Sequence, residues 1–123
     1  MELTTPLDAL SDCRGVGDIL GRVGDKWTVQ VVVALHEQPR RFSDIKRHVA
    51  GISQQMLTRT LRMLERDGLV ARTVRTEASP PQVDYALTAL GRSLAEPVRQ
   101  LALWAIAHRD AIRDSQVRHD AGR

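Results

Sequence analysis

The sequence is poor in the residues on which several protein classes depend. Its 123 residues include a single cysteine, Cys13, so an internal disulfide framework and a cysteine-rich zinc site are excluded. No apolar run approaches the roughly 18 residues of a membrane-spanning helix, and the first residues lack the basic start and apolar centre of a secretion signal. We therefore expect a cytoplasmic protein without a membrane partner, and a chain of this length fits one domain.

Motifs for catalysis and for metal or cofactor binding are missing as well. The 4 histidines are scattered without metal-ligand spacing, and no glycine-rich phosphate loop follows a predicted strand. We predict that the protein is not an enzyme and that it binds no metal and no cofactor.

Positive charge is concentrated in the middle of the chain. Residues 39–75 carry 9 basic and 3 acidic side chains (net +6), residues 1–38 carry 3 and 6 (net −3), and residues 76–123 carry 6 and 6 (net 0). A basic segment of this kind is typical of a protein with one face toward a polyanion. The alternative is an arginine-rich surface that contacts only water.

The stretch Ser53–Gly68 predicts an amphipathic helix within this basic segment. Leucines recur at helical spacing on one face, at Leu57, Leu61 and Leu64. Ser53 suits the N-cap, and Gly68 suits the left-handed residue that ends a helix. The opposite face carries glutamine, threonine and arginine side chains, which can hydrogen-bond base edges and phosphates.

The segments before this helix predict the rest of a helix-turn-helix. Val16–Val23 has the apolar spacing of a helix, and Ser43–His48 predicts a short helix that a glycine-containing turn joins to the central one. Lys26–Leu35 is compatible with a strand because it is rich in valine. Asp25 is suited to cap a helix, so we predict a buried helix there.

The segments after the central helix predict a β-hairpin followed by a long helix. Leu69–Arg75 and Val83–Leu87 have the composition of strands, and a proline-containing turn joins them. A hairpin in this position is a wing, so the predicted fold is a winged helix-turn-helix, mainly α with a small β-hairpin. Thr88 can cap a last helix from about Ala89 to Ile112, which Pro97 should kink.

The pattern of the last helix predicts a dimer. Its apolar residues follow a spacing close to a heptad, and residues 101–107 are apolar nearly all round, which the surface of a monomer tolerates poorly. A second subunit is the simplest cover, and the predicted interface residues are Leu94, Val98, Leu101, Trp104, Ala105 and His108. Residues 13–113 form the predicted domain, between a flexible arm of residues 1–12 and a frayed tail of residues 114–123.

Several motifs occur in the order and spacing of one known family. They are Cys13, Gly24-Asp-Lys-Trp-Thr28, Arg40-Arg-Phe-Ser43, Gly51-Ile-Ser53, Leu57-Thr58, Leu61, Leu64-Glu65, Asp67-Gly-Leu-Val70, Val83-Asp-Tyr-Ala-Leu-Thr88 and Leu90-Gly91. On these motifs, over about residues 13–108, the chain resembles the HxlR family of winged-helix transcription regulators, relatives of the MarR group. The resemblance implies a cytoplasmic homodimer on palindromic operator DNA, with helical dimerisation elements at both ends. It also favours a helix for the valine-rich segment.

Two positions depart from the family pattern. Arg14 follows the cysteine where the family usually has proline, and it alters the surroundings of the thiol. Gln82 ends the wing tip where the family often has a basic residue, which weakens the expectation of a phosphate contact there. Arg75, on the strand that enters the wing, is the predicted substitute.

The predicted interface with double-stranded operator DNA combines base-reading and phosphate-contacting residues. The residues expected to enter the major groove are Gln54, Gln55, Thr58, Arg59 and Arg62. Ser53 at the helix N-terminus, Arg41 and Arg75 are the predicted phosphate contacts. The alternative is a winged helix that interacts only with proteins and does not bind specific DNA, and the concentrated basic charge argues against it.

Two features are candidates for sensing a signal. The resembling family often has a cysteine that senses oxidants or electrophiles at the position of Cys13, and a structural thiol is the alternative. Trp27 and Trp104 are candidates for the lining of a pocket that binds a small aromatic effector, and core packing is the alternative.

Overall fold

Five helices and three strands make up the part of the chain that the computed structural model describes, residues 15–122. In chain order they are α1 Val16–Val23, α2 Lys26–Glu37, β1 Arg40–Arg41, α3 Phe42–His48, α4 Gln54–Arg66, β2 Val70–Arg75, β3 Gln82–Leu87 and α5 Ala89–Ala121. The fold is the predicted winged helix-turn-helix, in which α3 and α4 form the helix-turn-helix and β2 and β3 form the wing.

The helices α2, α4 and α5 begin where local capping signals predict them. The carboxylate of Asp25 accepts hydrogen bonds from two amides in the first turn of α2, both at 3.1 Å. Ser53 Oγ accepts from the Met56 amide at 3.0 Å, and Thr88 Oγ1 accepts from the Gly91 amide at 3.1 Å. Each cap satisfies amides that have no partner inside the helix, and the chain enters helical geometry at these positions for that reason.

The valine-rich segment is a helix with one face in the core. Val31 and Val32 have no exposed surface, and Leu35 is 3% exposed. Side chains of α2, α3, α4 and α5 share this core, and its largest fully buried members are Ile45, Leu57, Leu61, Leu64, Val31, Val32, Val49 and Val98. Because the leucines of α4 are anchored here, the polar face of α4 is directed outward.

A short strand that the sequence pattern did not indicate joins the helix-turn-helix to the wing. β1 pairs antiparallel with β3, with Arg40 opposite Tyr85 and Arg41 opposite Asp84, and the sheet order is β1-β3-β2. Two residues are too few to show the alternation by which a strand is recognised. The pairing places the start of α3 beside the wing.

The last helix is longer than its pattern predicts. We expected it to end near Ile112 and residues 114–123 to form a frayed tail, but α5 continues to Ala121. Residues 113–121 contain neither glycine nor proline, so no residue interrupts the helix before Gly122 at its C-cap. The predicted domain boundary at residue 113 is therefore not an end of secondary structure.

One predicted interface residue, Val98, lies in the core of its own subunit. It is 1% exposed, and with Gly91 and Ala95 it forms the buried face of α5 at spacings of four and three residues. This burial leaves Val98 no surface for the partner contact that we predicted. Residues at heptad spacing shift by only about 20° around the helix per repeat. Heptad spacing therefore does not show whether a residue faces the core of its own subunit or a partner subunit beside it.

Candidate nucleic-acid interface

The outward face of α4 carries the residues predicted to read bases. Gln54, Gln55, Arg59 and Arg62 are exposed, whereas Thr58 is half-buried. Thr58 Oγ1 donates a hydrogen bond to the Gln54 carbonyl at 2.9 Å, so its hydroxyl remains only as an acceptor for another molecule. All five line one concave surface, which therefore presents both amide and guanidinium donors.

The N-terminus of α4 is suited to an anion. Ser53 is exposed, and its Oγ accepts from the Met56 amide, which leaves the hydroxyl hydrogen as a donor. No acidic residue lies in the first turn of α4, so nothing in that turn offsets the partial positive charge of the helix end. A phosphate at this position would accept from the Ser53 hydroxyl and from free amides.

Unpaired arginines surround the outward face of α4. Within residues 15–122, no carboxylate lies at ion-pairing distance from Arg41, Arg59, Arg62 or Arg72. Arg41 is exposed at the N-cap of α3, and Arg72 is exposed on β2. Arg72 was not among the predicted phosphate contacts, although its place in the basic middle segment was a signal for it. These guanidinium groups keep their full charge for phosphates.

Arg75, the predicted phosphate contact of the wing, is paired with a carboxylate. Its Nε lies 2.7 Å from Asp84 Oδ2, while 57% of its side chain is exposed. The remaining guanidinium nitrogens can still reach a phosphate, but Asp84 offsets the charge. The pair crosses the hairpin, where Arg75 lies opposite Gln82 and Asp84 lies opposite Thr73. Of the two arginines on β2, Arg72 is therefore the one whose charge no carboxylate offsets within the described residues.

Arg40, next to Arg41, has a structural role. Its side chain is 6% exposed, and its Nε donates to the Ala34 carbonyl at 2.8 Å. Its Nη2 lies 2.7 Å from Glu37, and its Nη1 lies 2.8 Å from Asp44. The hydrogen bond between Arg40 and Asp44 is the main cause that raises the pKa of Arg40 and lowers the pKa of Asp44. This network ties α2 to α3 and supports the position of Arg41.

A groove of about 380 Å³ lies between α4 and the wing. Its lining residues are Phe42, Gln54, Thr58, Leu61, Arg62, Glu65, Arg72 and Tyr85. Arg62 from the helix and Arg72 from the wing therefore line the same groove, and Glu65, which is half-buried, contributes the one acidic group among these residues. The cationic surface of α4 thus continues onto the wing.

Within the described residues, Trp27 and Trp104 line two different cavities. Trp27 packs against the core and lines a cavity of about 570 Å³ between α1, α2 and α4, with Lys26 Nζ 4.5 Å from its ring centroid. Trp104 is 56% exposed on α5 and stacks on His108 with ring centroids 4.4 Å apart. A shared effector pocket would require residues from a second subunit.

The remaining predicted interface residues differ in exposure. Leu101 and Trp104 are each 56% exposed, and Ala105 and His108 are also exposed. Leu94 is half-buried because it packs against the core. The named interface residues did not include Leu103 and Ile106, which lie in the apolar stretch 101–107 and are 46% and 61% exposed, or Ile19 and Leu20 of α1, which are 60% and 47% exposed. The exposed apolar surface therefore extends beyond the predicted stripe.

Among residues 15–122, histidine, cysteine and carboxylate side chains never gather in a group of three or more that could hold a metal ion. No helix in this range has the length and hydrophobicity to cross a membrane. Cys13, the candidate redox-sensing residue, lies outside the described residues, as does the predicted arm of residues 1–12.

Comparison with known proteins identifies the family. The model of the HxlR-like helix-turn-helix family matches residues 22–113. YtfH of Escherichia coli (strain K12), described as an HTH-type transcriptional regulator, is 41% identical over 87 residues, which are 71% of this chain and 68% of YtfH.

Solved structures agree with this match. The transcriptional regulator ytfH from Salmonella typhimurium has a TM-score of 0.75 and 33% identity, covering 83% of this chain and 90% of that one. The redox regulator HypR in its reduced form has a TM-score of 0.72 and 36% identity, covering 80% of this chain and 97% of that one. The protein is a transcriptional regulator and not an enzyme, and the chain belongs to the HxlR-like helix-turn-helix family.

Proposed function

We propose that this regulator binds a palindromic operator in double-stranded DNA as a homodimer, with α4 of each subunit in the major groove. The observation that carries the proposal is the exposed face of α4, where Gln54 and Gln55 present side-chain amides and where Arg59 and Arg62 have no ion-pair partner within the described residues. Glutamine can read adenine and arginine can read guanine through paired hydrogen bonds. The unpaired Arg41 and Arg72 flank this face and would contact phosphates.

In vitro selection tests this proposal. From a pool of randomised duplexes, the wild-type protein should enrich one palindromic sequence, with half-sites about one helical turn, roughly 34 Å, apart. Replacing Arg59 or Arg62 by alanine should cost about 1 to 3 kcal/mol of binding free energy and relax the sequence choice. The control is Arg99→Ala, which removes an exposed arginine that pairs with Glu96 on α5. Equal affinity of the wild type and the Arg59→Ala, Arg62→Ala double variant would refute the assignment.

The phosphate contacts should behave differently from the base readers. Arg41→Ala should weaken binding to every duplex alike and lower the salt slope by about one. Arg75→Ala should have a smaller effect, because Asp84 already offsets the charge of Arg75. A change in sequence preference in either variant would contradict this division of roles.

The homodimer follows from the exposed apolar residues of α5 and from the symmetry of the proposed site. Leu101, Trp104 and Ile106 are each more than half exposed, and a second copy of α5 would remove them from water. Sedimentation at micromolar concentration should give the mass of a dimer. A monomeric wild type would contradict the proposed architecture.

The competing function is a winged helix that interacts only with proteins. Random duplex DNA titrated at two salt concentrations separates the two, because phosphate contacts make the affinity fall steeply with salt. No measurable binding at the lower salt concentration would favour the protein-interaction module.

Regulation by oxidants or electrophiles in the cytoplasm is the proposed input. HypR is described as a redox regulator, and its structure is known in a reduced and an oxidised form. The chain in the reduced structure is 36% identical to this one. Cys13 is the only cysteine of this chain, so a disulfide would need a second subunit or a small thiol. The test compares operator binding before and after mild peroxide or quinone in the wild type and in Cys13→Ser. If both proteins respond equally, Cys13 is not the sensor, and a small aromatic effector in the cavity beside Trp27 becomes the better candidate for the input.

A further inference from the structure

The first helix, α1, is joined to the end of α4 by an ion pair. No residue of α1 is buried, and its apolar residues Ile19 and Leu20 are largely exposed. Arg22, in the last turn of α1, places Nη1 2.6 and 2.5 Å from the two carboxylate oxygens of Asp67. The two residues are 45 positions apart in the sequence, so the pair is a tertiary contact and not a local helix contact.

Asp67 is the C-cap residue of the recognition helix α4. The helix ends in the turn that follows, where Gly68 has a φ of +77° and the Leu69 amide donates to the Leu64 carbonyl at 2.9 Å. A carboxylate at the negative end of a helix is unfavourable by itself. The guanidinium of Arg22 neutralises it and at the same time interacts favourably with the C-terminal end of α1.

The same turn is fixed from another direction by α5. Thr88 Oγ1 donates to the Gly68 carbonyl at 2.6 Å, and the Thr88 amide donates to the Leu69 carbonyl at 3.0 Å. The end of α4 is therefore contacted from two sides. Thr88, at the start of α5, binds the backbone just after α4, and Arg22 of α1 binds the side chain of Asp67, the C-cap residue. A shift of α1 relative to α5 would act directly on the direction of α4.

The space around Arg22 allows such a shift. Arg22 lines two cavities, one of about 570 Å³ between α1, α2 and α4, and one of about 440 Å³ between α1 and α5. Both sides of α1 therefore adjoin cavities, and among residues 15–122 the Arg22–Asp67 pair is the ion pair that links α1 to the end of α4.

We propose that the Arg22–Asp67 pair is a positioning contact that couples α1 to the recognition helix, so that the placement of α1 sets the affinity of α4 for its operator. The coupling rests on the proposed operator binding. Neither Arg22 nor Asp67 contacts DNA in this scheme. Any input that moves α1 changes DNA binding through this contact.

Two variants of opposite charge effect test the coupling. Arg22→Gln removes a positive charge, and Asp67→Asn removes a negative one. The probes are the duplex that the wild type enriches from a randomised pool and a random-sequence duplex of equal length. Both variants should bind the enriched duplex about fivefold or more weakly, a typical size for coupling between sites. Random-duplex binding should weaken slightly for Arg22→Gln and strengthen slightly for Asp67→Asn, because only net charge governs it.

The controls separate positioning from simple stabilisation. The double variant should lose no more affinity than either single variant, because both remove the same contact. Arg22→Lys keeps the charge but has fewer hydrogen-bond donors, so its affinity for the enriched duplex should lie between those of the wild type and Arg22→Gln. This variant tests the coupling if Asp67→Asn does not fold. Arg99→Gln removes an arginine from the exposed pair with Glu96 on α5, and it should leave the ratio of enriched-duplex to random-duplex affinity unchanged. Binding is compared between samples with folded circular dichroism spectra.

Two negative outcomes are distinguishable. If the wild type enriches no sequence, the proposed operator binding fails, and the coupling fails with it. If the wild type enriches a sequence and the folded Arg22→Gln and Asp67→Asn variants bind it as tightly as the wild type does, only the coupling is refuted. A lower melting temperature with an unchanged ratio of enriched to random affinity would likewise refute it, since the pair would then only stabilise the fold.

Discussion

Gly91, at the start of α5, leaves no room for a side chain, and this makes Gly91→Ala a sharp test of the packing behind α4, the proposed recognition helix. A Cβ at this position would lie 2.0 Å from the Leu69 carbonyl oxygen, 3.1 Å from its carbon and 3.2 Å from Leu87 Cδ2. Leu69 belongs to the turn that ends α4, and its carbonyl accepts from the Thr88 amide at 3.0 Å. The substitution therefore pushes α5 away from the end of α4.

The expected cost follows from these distances. Non-bonded heavy atoms rest about 3.5 Å apart or more, so the backbone must move by roughly 1.5 Å. Overpacking of this kind costs about 1 to 3 kcal/mol, and losing the bond to the Thr88 amide costs about 0.5 to 1.5 kcal/mol. The higher helix propensity of alanine returns about 0.5 to 1 kcal/mol. The net destabilisation of Gly91→Ala should therefore be about 0.5 to 4 kcal/mol, with about 2 kcal/mol at the centre of these ranges.

Gly21, within α1, is the matched control for this substitution. A Cβ there would have no heavy atom within 4 Å, so Gly21→Ala should raise stability by about 0.5 to 1 kcal/mol through helix propensity alone. Thermal melts followed by circular dichroism should shift by about 3 to 6 °C per kcal/mol, in opposite directions for the two variants. Protein concentration must be equal, because dimerisation adds to stability. A melting temperature of Gly91→Ala at or above that of the wild type would refute the packing argument.

Four further outcomes are expected. Arg40→Met should lower the free energy of unfolding in urea by about 1 to 3 kcal/mol, because it leaves the buried Ala34 carbonyl without a donor and Asp44 without its nearest cation, and a loss below about 0.5 kcal/mol would contradict the structural role of Arg40. The pKa of Asp44 is lowered in the folded state mainly by its hydrogen bond to Arg40. The ionised Asp44 therefore contributes its full stabilisation of the fold above the ordinary aspartate pKa of about 4, and this contribution is lost as the pH falls below that value toward the lowered pKa. Asp44→Asn should flatten this acid dependence, measured by urea unfolding between about pH 2 and 6. Leu101→Asp with Trp104→Asp should give folded monomers with weaker operator binding, and a sedimenting dimer would count against the α5 interface. Cys13→Ser should keep operator binding after peroxide treatment that abolishes it in the wild type.

Much of the proposed DNA-binding face could be described from the sequence because its helix signals are local. The polar and apolar faces of α4 follow from residue spacing over 13 residues, and its ends follow from Ser53 and Gly68. The availability of each cation was not predictable. Arg40 and Arg41 are neighbours of the same type, yet one is buried among acceptors and the other is exposed. Burial depends on which segments pack against a residue, and such contacts have no local signature.

The sequence by itself determined the five helices, the two wing strands, their order and the caps of α2, α4 and α5, because periodicity and capping act between residues a few positions apart. Only the tertiary structure decided that β1 pairs with the wing, that Val98 faces the core, and that Asp84 offsets the charge of Arg75. It also decided that Arg22 meets Asp67 across 45 residues. These contacts arise when the hydrophobic faces of several helices pack into one core, and that packing brings together residues whose separation along the chain carries no signal of their proximity.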